Sequence, residues 1–316
     1  MNKTVLIVGG GMMGCGIASI SAAAGNRVVV VEPQKHARET GPKRVSALVE
    51  ELSKNELITK DAFDFAVNAV TFTDSLERVA GEVGFVIEAI AEDLNAKQNL
   101  FETLDQLFPP EIPIVSNTSG LRITDIGARV VHKERIATAH FWFPAHLVPL
   151  VEVVMGDGTS LEVADWVCAT LKSWGKAPVL VRKDLPGQLA NRILQAVIRE
   201  ASNIVEMGLA SPQDVDTAVK MGMGIRFPVW GPLEHVDAVG VDLCRNVQNT
   251  VLPGISGRQM ANSTFDSLVS QGNLGYKTGR GFYDWEIKDM QKLESLRNDF
   301  IIQAVKFIKE RGEVDK

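Results

Sequence analysis

The sequence predicts an α/β chain in two parts: a doubly wound, mostly parallel sheet over residues 1–184, then an all-helical domain over residues 185–316. Three observations carry this. The chain opens as strand, glycine turn, helix, strand and acid. Strand and helix patterns then alternate as far as Val181. Beyond the polar, aperiodic stretch Arg182-Lys-Asp-Leu-Pro-Gly187, every pattern is helical.

The opening fixes the most. Lys3–Gly9 is a short apolar, β-branched run and reads as a buried strand. Gly9, Gly11 and Gly14 follow in G-x-G-x-x-G spacing. A small-residue helix continues through Ile17–Ala24 to Gly25, and Arg27–Val31 forms a second buried strand closed by Glu32. In that context the glycines are a Rossmann-type dinucleotide-binding fingerprint. Gly9 permits the tight turn, Gly11 lets the backbone approach a pyrophosphate beside Met12 and Met13, and Gly14 lets the helix pack on the strand. The helix N-terminus offers N–H groups and its positive dipole end to phosphates. Glu32 accepts from an adenosine ribose, its charge repels a 2′-phosphate, and Pro33-Gln34 bring no arginine, so NAD is expected rather than NADP.

The other elements follow in order. Lys35–Lys54 is helical in pattern, with Gly41-Pro42 expected to bend or interrupt it. A short helix at Asp61–Asn68 precedes strands at Val70–Phe72 and Phe85–Ile90. The amphipathic run Asn95–Phe108 stops at Pro109-Pro110. Strands at Ile112–Val115 and Ile136–His140 flank a helix around Ile123–Val131. Leu150–Met155, Leu161–Trp174 and Pro178–Val181 extend the alternation. In the second part, Leu189–Met207 ends at Gly208, Ser211-Pro212 caps another helix, and Pro232–Leu252 and Leu293–Lys309 supply more. Their apolar faces suit a homodimer formed through this domain.

Composition narrows the classes. The 316 residues are 45% hydrophobic and 23% charged, with a net charge of −6. No basic footprint points to nucleic acid or to an anionic membrane surface. Three scattered cysteines suit a reduced, cytoplasmic protein. The uncharged stretch Thr4–Gly25 carries its glycines where a signal peptide or membrane span needs its apolar centre. None of the five histidines has metal-ligand spacing, so no metal is expected. His140 ends a strand on the side where ligands bind. Twelve residues on, Glu152 is a carboxylate in apolar surroundings that needs a partner. A His–Glu pair is the usual construction of a general base held in one tautomer.

The order of motifs resembles the L-3-hydroxyacyl-CoA dehydrogenase family along nearly the whole chain. The matching pieces are Val8-Gly-Gly-Gly-Met-Met-Gly14, Val86-Ile-Glu-Ala-Ile-Ala-Glu-Asp93, Ser116-Asn-Thr-Ser119, His140-Phe with Pro144, and Pro149-Leu-Val-Glu-Val-Val154. Asp184-Leu-Pro-Gly187 with Asn191-Arg192, and Lys277-Thr-Gly-Arg-Gly-Phe-Tyr283, complete the set. The resemblance implies that His140 takes the hydroxyl proton as hydride passes to NAD, and that Glu152 orients it. Ser119 and Asn191 would hydrogen-bond the reacting oxygen. Ala91, Glu92, Lys97, Asn117 and Lys277 would join the glycine turn and Glu32 as cofactor contacts. Without the resemblance, Ser119 reads as a turn cap and Lys97 as part of a solvated helix face.

The departures concern the substrate. Phe143 stands where the family usually has an asparagine, so the substrate meets a ring there, and Gly120 replaces a second serine. Leu48 and Asn55 occupy the helix positions that commonly offer Ser and Lys to CoA, although Lys54 or Lys60 lie close in sequence. The expected substrate is a short-chain 3-hydroxyacyl-CoA, as in fatty acid metabolism. The alternative is a hydroxy acid or hydroxymethyl compound without CoA, as for family relatives acting on carnitine, gulonate or pyridine carboxylates. A non-catalytic NAD-binding protein, like the related lens crystallin, would be expected to have lost the His140–Glu152 pair, which is present.

Overall fold

The computed structural model describes residues 4–79 and 83–311. Lys3, where the sequence reading begins the first strand, lies outside them. Eight strands form one sheet: β1 Thr4–Val8, β2 Val28–Val31, β3 Val70–Thr73, β4 Val83–Glu88, β5 Ile114–Ser116, β6 Ile136–Phe141, β7 Leu150–Val154 and β8 Ala177–Val181. Their spatial order is β3-β2-β1-β4-β5-β6-β7-β8. The chain winds outward from β1 to one edge, then returns beside β1 and winds to the other. The switch point therefore falls between β1 and β4, where open α/β sheets bind ligands.

The helices of this part are α1 Met12–Ala23, α2 Lys35–Lys54, α3 Lys60–Ala69, α4 Leu94–Leu107, α5 Ile123–Ile126 and α6 Leu161–Ser173. Alternate residues of β1 feed the two faces. Val5 and Ile7 pack with Cys15, Ile17 and Ala18 of α1, whereas Leu6 and Val8 pack with Phe101 and Leu104 of α4. A strand buried on both faces must be apolar throughout, which is why it reads as an unbroken run.

Neighbouring strands are parallel except β6 and β7, which pair antiparallel with His140 opposite Glu152. The eight residues Trp142–Pro149 are too few for a crossover back to a parallel position, so the chain reverses beside β6. Lys176 pins that connection, donating from Nζ to the carbonyls of Ala145 and Val148. Burial, then the charge of Lys309, pulls its ammonium down to about 7.

Two local expectations change. Helix α2 runs unbroken through Pro42. Gly41 there lies so close to Phe72 of β3 that a Cβ would stand 2.4 Å from the ring, so the residue is needed for close packing. The helix expected over Ile123–Val131 ends at Ile126 and continues as a 3-10 turn, Gly127–Arg129, where a Cβ on Gly127 would meet Ile136.

The remaining helices are α7 Ala190–Glu206, α8 Pro212–Ala218, α9 Pro232–Val239, α10 Val241–Val251, α11 Ser263–Ser270 and α12 Met290–Arg311. The Pro232–Leu252 stretch is divided at Gly240, whose φ of 104° ends α9. The chain forms two compact units. The second is Asn191–Phe300, and the first takes back the chain from Ile301. The sequence reading divided the chain at 184/185 and gave all of 185–316 to the helical part. The difference has two causes: the amides of Leu189 and Ala190 bind Glu152, and Ile302 is buried in the core of the sheet. Among the described residues no helix is long and apolar enough to cross a membrane.

Candidate active site

The glycine turn joins β1 to α1 at the switch point. A Cβ on Gly9 would lie 2.5 Å from the Ala89 carbonyl oxygen, and one on Gly14 would lie 1.8 Å from that of Gly9. Gly11 differs, with open space where its Cβ would be. Packing therefore requires the first and third glycines, and the middle one leaves a clear approach to the backbone. Met13 packs against the core, while Met12 is exposed at the helix start. Glu32 is 8% exposed; its Oε2 accepts from the Gly10 N–H at 2.8 Å and its Oε1 from the Gln34 N–H at 2.9 Å. These bonds hold the carboxylate at the turn and leave lone pairs for a ribose hydroxyl. A cavity of about 660 Å³ opens alongside, lined by Gly9, Gly11, Glu32, Pro33, Ala89 and Ala91 among others. These residues fit a dinucleotide: open backbone for the pyrophosphate, an anchored acid for the ribose and an apolar slot for the adenine.

The ends of β4 and β5 carry a second network. Glu88 is fully buried and accepts from the Ile90 N–H, Ser116 Oγ and Lys97 Nζ, the last at 2.6 Å. Lys97 also lies 3.4 Å from Glu92 and is 1% exposed. The solvated helix face read for it without the resemblance is thus corrected; the fold spends its charge on two carboxylates. Glu92 Oε1 accepts from the hydroxyl of Thr118 and the N–H groups of Ser119 and Gly120. Burial works to raise the Glu92 pKa, yet these bonds and Lys97 hold it below the ordinary carboxylate range. Ser119 enters the turn through its backbone. Asn117 Oδ1 accepts from the Phe141 N–H at 2.9 Å, tying this loop to the residue after His140.

The β6–β7 register sets the third group. His140 Nδ1 lies 2.9 Å from Glu152 Oε2; the histidine is 7% exposed and the glutamate fully buried. Trp142 Nε1 donates to the same oxygen at 3.0 Å, while Leu189 and Ala190 N–H donate to Oε1 at 2.8 Å each. Burial alone would push this carboxyl up. Hydrogen bonds from His140, Ala190, Trp142 and Leu189 outweigh it and hold the pKa at about 2. A carboxylate kept anionic against one ring nitrogen favours a proton on Nδ1 and leaves Nε2 as acceptor. Phe143, next in the connection, is 46% exposed.

The sequence reading missed Trp142 and the two amides. Trp142 had a signal, since residues two apart in an extended chain share a face with His140. The amides had none, because backbone N–H groups belong to every residue. Asn191 lies in the first turn of α7, one residue beyond Ala190, and its Oδ1 faces Gln195 Nε2 at 3.4 Å. Lys277 lies on a 3-10 turn, Tyr276–Thr278, and lines a cavity of about 610 Å³ within the second unit with Phe265, Phe282, Tyr283 and Trp285. No group of three or more His, Cys, Asp or Glu among the described residues is arranged to hold a metal ion.

Comparison with known proteins places these features. Residues 4–185 match the family description "3-hydroxyacyl-CoA dehydrogenase, NAD binding domain", and residues 187–285 match "3-hydroxyacyl-CoA dehydrogenase, C-terminal domain". A probable 3-hydroxybutyryl-CoA dehydrogenase of Bacillus subtilis is 36% identical, over 90% of this chain and 98% of that protein. A 5-formyl-3-hydroxy-2-methylpyridine 4-carboxylate 5-dehydrogenase of Mesorhizobium japonicum is 30% identical, over 94% and 95%. A solved structure of an enzyme with that activity, described as an NAD+ dependent dismutase, superposes with a TM-score of 0.88 over 96% of this chain and 97% of its own. The (S)-3-hydroxybutyryl-CoA dehydrogenase of Ralstonia eutropha is 33% identical and gives 0.74 over 90% and 99%. The chain therefore belongs to the 3-hydroxyacyl-CoA dehydrogenase family of NAD-dependent oxidoreductases acting on CH–OH groups.

Proposed function

We propose that the protein oxidises the hydroxyl-bearing carbon of a compact hydroxy acid or hydroxymethyl compound that carries no CoA, with His140 as general base. Nε2 of His140 accepts the hydroxyl proton, and Glu152 stabilises the imidazolium that results. The glycine turn and Glu32 would hold NAD, which when bound would supply the hydride acceptor. Trp142 and the two amides fix the carboxylate, so little reorganisation accompanies the proton transfer. Ser119, Asn191 and Phe143 are proposed to orient the substrate, and Glu92 to hold the loop that carries Ser119.

The observation behind the CoA-free reading lies on α2. Leu48, where the family commonly offers a hydroxyl to CoA, packs against the core. Asn55, where it offers an ammonium, folds back to donate to the Glu51 carbonyl at 2.8 Å. The pyridine-carboxylate dehydrogenase likeness agrees. A second reading, a short-chain 3-hydroxyacyl-CoA, is favoured by the B. subtilis relative and by exposed Lys54 and Lys60 nearby. Steady-state NADH formation from free 3-hydroxy acids and hydroxymethyl pyridine carboxylates, beside 3-hydroxybutyryl-CoA, separates them. We expect kcat/KM for the best free acid to exceed that for the thioester by at least about tenfold. Turnover of the thioester alone would reverse the assignment.

We also propose a homodimer. The second unit exposes Ile225, Phe227, Val229, Trp230 and Leu233, an apolar run that a second copy would cover. Sedimentation at the mass of one chain would contradict it.

A further inference from the structure

Gln188 lies between two parts of the site and has no role in the reading above. Its backbone is left-handed, with φ 54°, directly after Gly187 at φ 81°. That conformation is uncommon and costly for a residue with a Cβ. The residue is 6% exposed. Nε2 donates to the Thr118 carbonyl at 2.9 Å, whereas Oε1 is buried and meets no donor among the described residues. A buried acceptor left unpaired lowers stability, and the fold gains nothing from it. Both costs fall at one residue, which points to a function for that position.

Its connections suggest which function. Thr118 belongs to the turn that Glu92 holds through Thr118, Ser119 and Gly120. The next two residues, Leu189 and Ala190, supply the amides on Glu152. We propose that Gln188 is a positioning residue that straps the Thr118–Gly120 turn to the Gln188–Ala190 turn and thereby sets how firmly the amides hold Glu152. The proposal rests on reading His140 and Glu152 as the base pair.

A sign follows from the chemistry. Amides that hold the carboxylate share its charge with His140. When they slacken, more of that charge falls on the imidazolium and stabilises it. Lys183 and Arg192 flank the second turn in sequence, and two further carboxylates stand near: Glu92, with Lys97 behind it, and Asp184, which accepts from the Thr124 N–H and lies 3.9 Å from Arg122. Neither carboxylate exchanges a hydrogen bond with Glu152.

Two variants test this. Gln188→Met keeps the length without a polar end, and Gln188→Glu keeps the shape without a donor. In both, amide hydrogen exchange at Ser119, Gly120, Leu189 and Ala190 is expected to rise. The thermal midpoint of Gln188→Met should stay near wild type, because loss of the unpaired Oε1 offsets loss of the donor to the Thr118 carbonyl. With substrate, kcat is expected to fall about tenfold with NADH affinity within about twofold, and the acid limb of kcat/KM for oxidation to move to higher pH. Unchanged exchange in both variants, or an unmoved acid limb despite lower kcat, overturns the proposal. Faster exchange at all four amides in a protein without dehydrogenase turnover would uphold the strap and sink the base-pair reading alone.

Discussion

Replacing His140 by glutamine is expected to lower kcat for oxidation by about three orders of magnitude and to change NADH affinity by less than about twofold. The proton of the substrate hydroxyl then has no acceptor of suitable basicity. Binding should survive because the residues proposed to hold the cofactor belong to other parts of the sheet: the turn after β1, Glu32 after β2, and the cavity beside them. The fold survives too. Glu152 keeps Trp142 Nε1 and the amides of Leu189 and Ala190, so removing the imidazole does not strand a bare buried charge. Stopped-flow NADH formation reads the first effect and fluorescence titration with NADH the second. Wild-type turnover in the variant would show that another group takes the proton.

The Glu152→Gln variant should lose nearly as much activity by a different route, and stability as well. The carboxamide oxygen can still accept from Leu189 and Ala190, which leaves its NH2 facing His140 Nδ1. Nδ1 then becomes the acceptor, the ring proton moves to Nε2, and the base presents a donor to the substrate. A loss of about 10³-fold in kcat is expected. The stability effect depends on pH. The Glu152 pKa, about 2 in the folded protein, is depressed below its unfolded value, so its contribution is full above about pH 5 and is lost as pH falls through 2. A shift of that size corresponds to about 3 kcal/mol. Wild type should lose that much more unfolding free energy than Glu152→Gln between pH 5 and pH 2, measured by urea titration. Parallel curves for the two proteins would mean that the hydrogen bonds to Glu152 do not stabilise its ionised form.

Much of this was legible in the sequence because each feature has a local cause. Gly9 and Gly14 stand where a Cβ would collide, Gly11 keeps the backbone open, and buried strands such as Val28–Val31 must be apolar on both faces. His140 and Glu152 could be paired because an unpartnered buried carboxylate is costly. What stayed hidden depends on contacts between distant segments. The burial of Lys97 requires Glu88, nine residues earlier, to end a strand beneath it. The amides on Glu152 come from residues 37 and 38 positions further on, with no side-chain signature. Ile302 returns to the core of the sheet after the whole second unit has intervened, which no single-segment pattern reveals.

The proposed chemistry requires Glu152 to hold a proton on His140 Nδ1 and to leave Nε2 free to take one from the substrate. With five histidines in the chain, 15N-labelled histidine makes the ring nitrogens observable by NMR, and His140→Gln assigns the signal. At neutral pH, with NAD bound, Nδ1 is expected to carry a proton and Nε2 to be bare. A proton resident on Nε2 would mean that His140 donates to the substrate, and the mechanism proposed for this protein would be wrong.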